Sequence, residues 1–276
     1  MERLQWYPGH MTAAFRMMQE NLKAVDGVIM ILDARAPFAS LNPKLDGLFK
    51  DKKILYVLNK TDLVQKTDVD RVLKAFSLDG KKSVAVSAFD KKAVAGLLRG
   101  IFSLLKEKSE RNKKKGLFAP LRVMVAGIPN TGKSTVINAL CGGRRAVVGN
   151  KAGVTRGKQW IRLNDLELLD TPGTMPPAFD NQEYAKHLAY IGCMNDANLD
   201  FSDMAAELIG ELSAKYPELL RERYGVDASK EVPEILDGIC ARRGFITKGG
   251  EFDYERCAAG VIDDFRKGRI GKIILE

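Results

Sequence analysis

Gly127-Ile128-Pro129-Asn130-Thr131-Gly132-Lys133-Ser134 follows the short, mainly apolar run Leu121 to Ala126 and opens a segment of helical character, Ser134 to Leu140. The pattern is GxxxxGK[ST] in a strand–loop–helix setting. Its glycines let backbone N–H groups turn inward around an anion, and the following helix presents its positive end to the same point. Lys133 is placed to reach the β- and γ-phosphates of a nucleotide, and the Ser134 hydroxyl to ligate Mg²⁺. A chance glycine-rich turn would lack the flanking strand and helix.

Earlier in the chain, Ile54-Leu55-Tyr56-Val57-Leu58 runs into Asn59-Lys60-Thr61-Asp62. This is the NKxD pattern, whose carboxylate accepts hydrogen bonds from the ring N–H and exocyclic amine of guanine. Adenine offers no such pair, and leaving the carboxylate unpaired costs on the order of several kcal/mol. Four letters alone also fit many strand-ending turns. Val84-Ala85-Val86-Ser87-Ala88, with the look of a second base-contacting loop, makes the match specific and disfavours ATP. In a Ras-like domain the phosphate loop precedes the guanine reader. Here the order is inverted. The expected fold is therefore α/β: a circularly permuted Ras-like P-loop GTPase domain with a mixed, mostly parallel sheet and flanking helices, then a small helical C-terminal domain.

The remaining parts fit the same plan. Asp170-Thr171-Pro172-Gly173 ends the run Leu166 to Leu169 as a DxxG element. Asp170 is expected to hold Mg²⁺ through water, and the Gly173 N–H to sense the γ-phosphate. Gly153-Val154-Thr155-Arg156 lies between the two phosphate motifs, which marks Thr155 as the switch threonine, a ligand of Mg²⁺ and γ-phosphate; a lone loop threonine is otherwise polar surface. The GTP-contacting set is then Asn59, Lys60, Asp62, Ser87, Ala88, Asn130, Thr131, Gly132, Lys133, Ser134, Thr135 and Gly173. Mg²⁺ falls to Ser134, Thr155 and Asp170, and Lys133 and Thr155 are expected to act in catalysis as well.

The length of 276 residues supports one large or two modest domains, expected at 1–178 and 179–276 about the Pro176-Pro177 break. The net charge of +9 is uneven: residues 1–183 carry +13 and residues 184–276 carry −4. A basic nucleotide half suggests a polyanionic partner beyond the nucleotide, or simply a basic soluble surface. Four cysteines (Cys141, Cys193, Cys240, Cys257) lack CxxC spacing, so reduced thiols in the cytoplasm are expected. No apolar stretch approaches about 18 residues. Neither a membrane nor DNA is an expected partner, and the expected state is a monomer.

Phe15, Met18, Leu22 and Val25 recur at helical spacing, predicting an amphipathic helix over 12–25 after a loop through residue 10. Val28 to Leu32 reads as a buried strand ending in Asp33-Ala34-Arg35-Ala36-Pro37, with Arg35 expected to pair with Asp33 rather than touch RNA. Helices over 68–78 and 92–108 alternate with strands, the rhythm of a mainly parallel sheet. The basic run Lys106, Lys108, Arg111, Lys113, Lys114, Lys115 reads as a solvated connector between the old termini. Residues 158–163 and 166–170 predict an antiparallel pair about Asn164-Asp165. Residues 184–276 read as mostly helical, with basic clusters at Arg242-Arg243 and from Arg266 to Lys272.

Trp6-Tyr7-Pro8-Gly9-His10-Met11, Asp33-Ala34-Arg35-Ala36-Pro37, the permuted motif order and Asp264-Phe265-Arg266-Lys267-Gly268-Arg269-Ile270-Gly271 together resemble the YlqF/RbgA family of circularly permuted ribosome biogenesis GTPases. The resemblance covers nearly the whole chain. It implies a role in late maturation of the large (50S) ribosomal subunit, GTP hydrolysis to GDP stimulated on the precursor particle, and a C-terminal domain that contacts rRNA. With that domain acidic in bulk, RNA contacts would fall to Arg242, Arg243, Arg266, Lys267, Arg269 and Lys272. Ras-type enzymes place a water-orienting glutamine directly after the DxxG glycine. Here Thr174 and Met175 follow. The resemblance supplies His10 instead, whose imidazole can polarise water because its ordinary pKa is about 6.5; otherwise His10 packs in the Pro-Gly turn. It also suggests K⁺ at Asn130, which is otherwise a turn residue tolerant of unusual backbone angles. A non-catalytic, GTP-dependent RNA-binding scaffold is the competing class. A signalling or tRNA-modifying GTPase is disfavoured, because residues 184–276 carry no second catalytic constellation.

Overall fold

The computed structural model describes residues 9–142, 159–176 and 179–276, with the side chains of His10 and Gln159 outside the described set. These residues form two compact units: the described residues from 9 to 180 together with Ile274–Glu276, and Asn181–Ile273.

In the first unit six strands make one sheet: β1 (Gly27–Asp33), β2 (Lys53–Asn59), β3 (Ser83–Ala85), β4 (Leu121–Ala126), β5 (Gln159–Leu163) and β6 (Leu166–Asp170). Their spatial order is β3-β2-β1-β4-β6-β5, with every neighbour parallel except β5 and β6. The β5–β6 hairpin turns at Asn164, whose φ of 49° is the left-handed conformation a two-residue hairpin loop requires. β4, which carries the phosphate loop, is fourth in the chain yet central in the sheet. The chain reaches it from the edge strand β3 through two helices. This long return to the middle is the permutation in space.

β1 is buried along its whole length, which is why it reads as an unbroken apolar run. Its alternate residues feed two cores. Val28, Met30 and Leu32, with Tyr56, Leu58 and Met124, pack against α1 (Gly9–Asn21), α2 (Pro43–Phe49) and α3 (Lys66–Leu78), which supply Met18, Phe49 and Phe76. Ile29, Ile31, Val57, Val123 and Val125 face α4 (Lys91–Leu104) and, past α5 (Lys106–Lys114), α6 (Lys133–Leu140), which supply Leu97, Ile101, Val136 and Ile137. Helices on both faces leave the strand ends as the open edge.

Two local expectations change. The first helix begins at Gly9 and gives way to a 3₁₀ turn at Leu22–Ala24. The basic run after Leu105 is solvated, as expected of a connector, but it is helical, as α5. Glu107 lies in its first turn and Arg111, Lys113 and Lys114 in its last, the arrangement a helix dipole favours. Lys53–Glu107 at 2.6 Å and Lys108–Asp26 at 3.2 Å fasten it to the domain.

The second unit is built from α7 (Gln182–Tyr190), α8 (Phe201–Lys215), α9 (Pro217–Tyr224), α10 (Val232–Arg243) and α11 (Tyr254–Arg266). Asn181, Asp200 and Asp253 cap α7, α8 and α11 by accepting from backbone N–H groups. Left-handed Gly225 and Gly244 end α9 and α10. α8 packs against α11 through buried Met204, Leu208, Leu212, Val261 and Phe265.

Candidate functional site

The loops after β2, β3, β4 and β6 all leave carboxyl ends of parallel strands, the edge where open α/β sheets hold ligands. The loop from Gly127 to Gly132 is tightly constrained. A Cβ at Gly127, where φ is 146°, would stand 2.4 Å from the Ile31 carbonyl oxygen. At Gly132, where φ is 91°, it would stand 2.5 Å from Asn59 Nδ2. Both glycines are therefore demanded by backbone angle and by close neighbours. Asn130 also sits at positive φ, 59°. The buried Lys133 ammonium donates to the carbonyls of Ile128 (2.7 Å) and Gly127 (3.2 Å). Thr131 is buried, its hydroxyl donating to the Ile128 carbonyl at 3.1 Å, and Thr135 is half-buried on α6.

The guanine-reading motif braces this loop. Asn59 Nδ2 donates to the Thr131 carbonyl and Lys60 Nζ to the Asn130 carbonyl, each at 2.8 Å. Thr61 N–H donates to the Val86 carbonyl at 3.3 Å, joining the loop that presents buried Ser87 and half-buried Ala88. Asp62 is exposed at the end of this assembly, with its carboxylate available to a base. Lys60, expected at the nucleotide, also pairs with Asp33 at 2.7 Å. Arg35 pairs with the same carboxylate, as expected, through Nε at 2.9 Å and a terminal nitrogen at 2.8 Å. Burial alone would raise the Asp33 pKa, but the Arg35 and Lys60 charges hold it well below the usual carboxylate range.

Ser134 and Asp170 meet, the hydroxyl donating to Oδ2 at 3.0 Å. Burial pushes the Asp170 carboxyl up, against the opposing pull of Lys133 and the Ser134 hydrogen bond. Its Oδ1 is buried with no hydrogen-bond partner. A hard divalent cation would answer both that oxygen and the desolvation, so these two residues fit Mg²⁺. Gly173 lies against the phosphate loop, where an added Cβ would stand 2.6 Å from Pro129 backbone atoms. Thr174 is fully buried; its N–H donates to the Gly127 carbonyl (3.3 Å) and its carbonyl accepts from Asn42 Nδ2 (2.9 Å). The glutamine position is thus an interior one that faces no water. Met175 N–H donates to Met11 Sδ at 3.4 Å, which brings the residue next to His10 beside the DxxG element. The His10 side chain, Thr155 and Arg156 lie outside the described residues.

In the helical unit the basic candidates divide. Arg266 is turned inward: its guanidinium donates to the Ala189 (2.9 Å) and Tyr190 (3.0 Å) carbonyls, pairs with Asp196 at 2.8 Å and lies over Phe201. These contacts give it a structural role, while Lys267, one position further on, leaves the helix end on a different side. Lys267 pairs with Asp263 at 2.8 Å, Arg242 packs beside Gly225, and Lys272 is exposed. Arg243 and Arg269 converge on buried Asp264, at 3.5 and 3.1 Å. Arg223 (2.8 Å) and the Tyr224 hydroxyl (3.2 Å) join them. Arg223 had no sequence signal, since it lies one helix away from the cluster it completes.

A family described as 50S ribosome-binding GTPase matches residues 122–222, starting in β4 and leaving Asn59 to Asp62 outside, as the permuted order requires. The ribosome biogenesis GTPase A of Priestia megaterium is 37% identical over 272 residues, 97% of this chain and 94% of that protein. A GDP-bound YlqF structure matches with a TM-score of 0.67 at 26% identity, covering 94% of this chain and 97% of that one. A GNP-bound YlqF from T. maritima gives a TM-score of 0.65 at 26% identity over 96% and 97%.

Proposed function

The chain belongs to the ribosome biogenesis GTPase A (YlqF/RbgA) family, and from that premise we propose that it is a GTP hydrolase acting as a nucleotide-controlled factor in late maturation of the large (50S) ribosomal subunit. The observation that carries the reading is the bracing of the phosphate loop by Asn59 and Lys60, from a motif that precedes it in the chain. Guanine specificity and phosphate binding are thereby one unit.

Asp62 accepts from the guanine edge, with Ser87 and Ala88 lining the base. Backbone N–H groups of 130–135 and the Lys133 ammonium hold the β- and γ-phosphates. Ser134, Asp170 and Thr155 would hold Mg²⁺, which would supply positive charge against the phosphate oxygens. His10 orients the attacking water in place of a glutamine, a reading supported by the Met11–Met175 contact beside the DxxG element. GTP orders Thr155 and Gly173, favouring the particle-bound form, and hydrolysis to GDP releases the factor. Arg242, Arg243, Lys267, Arg269 and Lys272 contact rRNA in the precursor particle, and the protein works as a cytoplasmic monomer. Asn130 would hold a K⁺ ion, which would add positive charge at the phosphates.

The test is multiple-turnover phosphate release with and without large subunits, in KCl and in NaCl at equal ionic strength. Stimulation by the particle, greater in KCl, is expected. Binding of GTP with no turnover under either condition would instead favour the RNA-binding scaffold, and equal rates in the two salts would remove the K⁺ site.

A further inference from the structure

Asp33-Ala34-Arg35-Ala36-Pro37 is a motif that the nucleotide chemistry leaves unused. In the structure it is held from two sides. On one side Asp33, 0% exposed, receives both Arg35 and Lys60, and Lys60 continues to the Asn130 carbonyl of the phosphate loop. On the other side the segment Ile274–Glu276 is seated on the same stretch. Leu275 N–H donates to the Arg35 carbonyl at 2.8 Å. The Glu276 carboxylate accepts from the backbone N–H groups of Phe38 (2.6 Å) and Ala39 (2.9 Å), and Ile274 joins the core beneath.

We propose that Asp33, Arg35 and the Leu275–Glu276 segment form a positioning strap for the phosphate loop, so that the seating of this segment sets how tightly guanine nucleotide is held. The contacts form an unbroken path: Glu276 and Leu275 fix the loop of Arg35, Arg35 fixes Asp33, Asp33 aims the Lys60 ammonium, and Lys60 holds the Asn130 carbonyl. Each link is a hydrogen bond or ion pair between buried or half-buried groups. Stability alone is a poor reason for such a path, because well-packed apolar side chains serve a core as well as a buried ion group does. A buried ion group does fix geometry, and here the fixed object is a carbonyl of the nucleotide loop. The chain enters this seat directly from Ile273, the last residue of the helical unit. A partner that draws residues 274–276 off the seat would therefore loosen nucleotide.

The inference rests on the nucleotide reading of the site, and linkage makes it testable. If seating aids nucleotide binding, nucleotide must aid seating by the same factor. Affinity for a fluorescent GDP analogue is measured for the wild type, Glu276→Ala and Glu276→Gln, with amide exchange at Leu275, Phe38 and Ala39 followed with and without GDP. Glu276→Ala is expected to weaken GDP roughly fivefold or more, with Glu276→Gln partly restoring it, and GDP is expected to slow exchange at Leu275 by a comparable factor in the wild type. A purely structural role lowers thermal stability but moves neither readout. Wild-type binding with Glu276→Ala within twofold, and Leu275 exchange indifferent to GDP, would overturn the strap alone. A wild type that does not bind GDP at all would overturn the nucleotide reading, and the strap with it.

Discussion

Thr174 occupies the place where Ras-type enzymes carry glutamine, yet its hydroxyl is buried and has no hydrogen-bond partner. A buried polar group without a partner is a standing cost of about 1–3 kcal/mol. Thr174→Val, which replaces the hydroxyl by a methyl of the same shape, is expected to stabilise the nucleotide unit by about 1 kcal/mol, seen as a rise of about 2–4 °C in Tm. Its phosphate-release rate should match the wild type, and a slower variant would return Thr174 to the mechanism. The converse holds for His10. His10→Ala should lower particle-stimulated turnover by about a hundredfold or more while leaving GTP affinity unchanged, the pattern of a group that acts only on the reacting water. Loss of affinity with retained turnover would give His10 a binding role instead.

At the scale of elements, what could be read from sequence was what a local rule dictates. Gly127, Gly132 and Asn130 are required by backbone angle and close approach, so the phosphate loop announces itself. The β5–β6 hairpin was legible because Asn164-Asp165 suits its turn. The solvated run of α5 was legible as a connector from its charge density, but its helicity was not: that rests on order along the run, acid first and base last. Tertiary partners were beyond reach: nothing near Arg266 in sequence shows that Asp196 and the end of α7 take its guanidinium. Nor does anything near Asp264 show that α9 brings Arg223. That assembly has its own pH signature. Burial alone would raise the Asp264 pKa, but the Arg223 and Arg269 hydrogen bonds leave it lowered. A depressed folded pKa gives stability that is present above the ordinary carboxylate value of about 3.9 and is lost as pH falls through the lower folded one. Asp264→Asn, which removes one partner of a buried ion group, should cost about 3–5 kcal/mol at pH 7 in urea unfolding of the helical unit. The two proteins should converge once the pH has fallen through the lowered folded pKa of Asp264. A difference that persists in acid would show that the side chain's shape, rather than its charge, matters.

At the scale of the whole molecule, charge and RNA recognition pull apart. Residues 1–183 carry +13 and residues 184–276 carry −4, yet the basic side chains proposed to meet rRNA belong to the acidic part. Binding there must depend on a few placed guanidinium and ammonium groups rather than on bulk attraction. Each phosphate contact releases counterions, so the slope of log affinity against log salt counts such groups, at somewhat less than one unit each. Arg242→Ala and Lys272→Ala avoid Asp264 and Asp263, and so should leave the helical unit folded. Together they should weaken particle binding and flatten the salt slope by about one to two units, measured by co-sedimentation in the GTP-bound form across a range of KCl. A slope that stays as steep would transfer the contact to the basic nucleotide half. In that event hydrolysis and RNA binding would share one surface, and charge substitutions on α5 should alter both together.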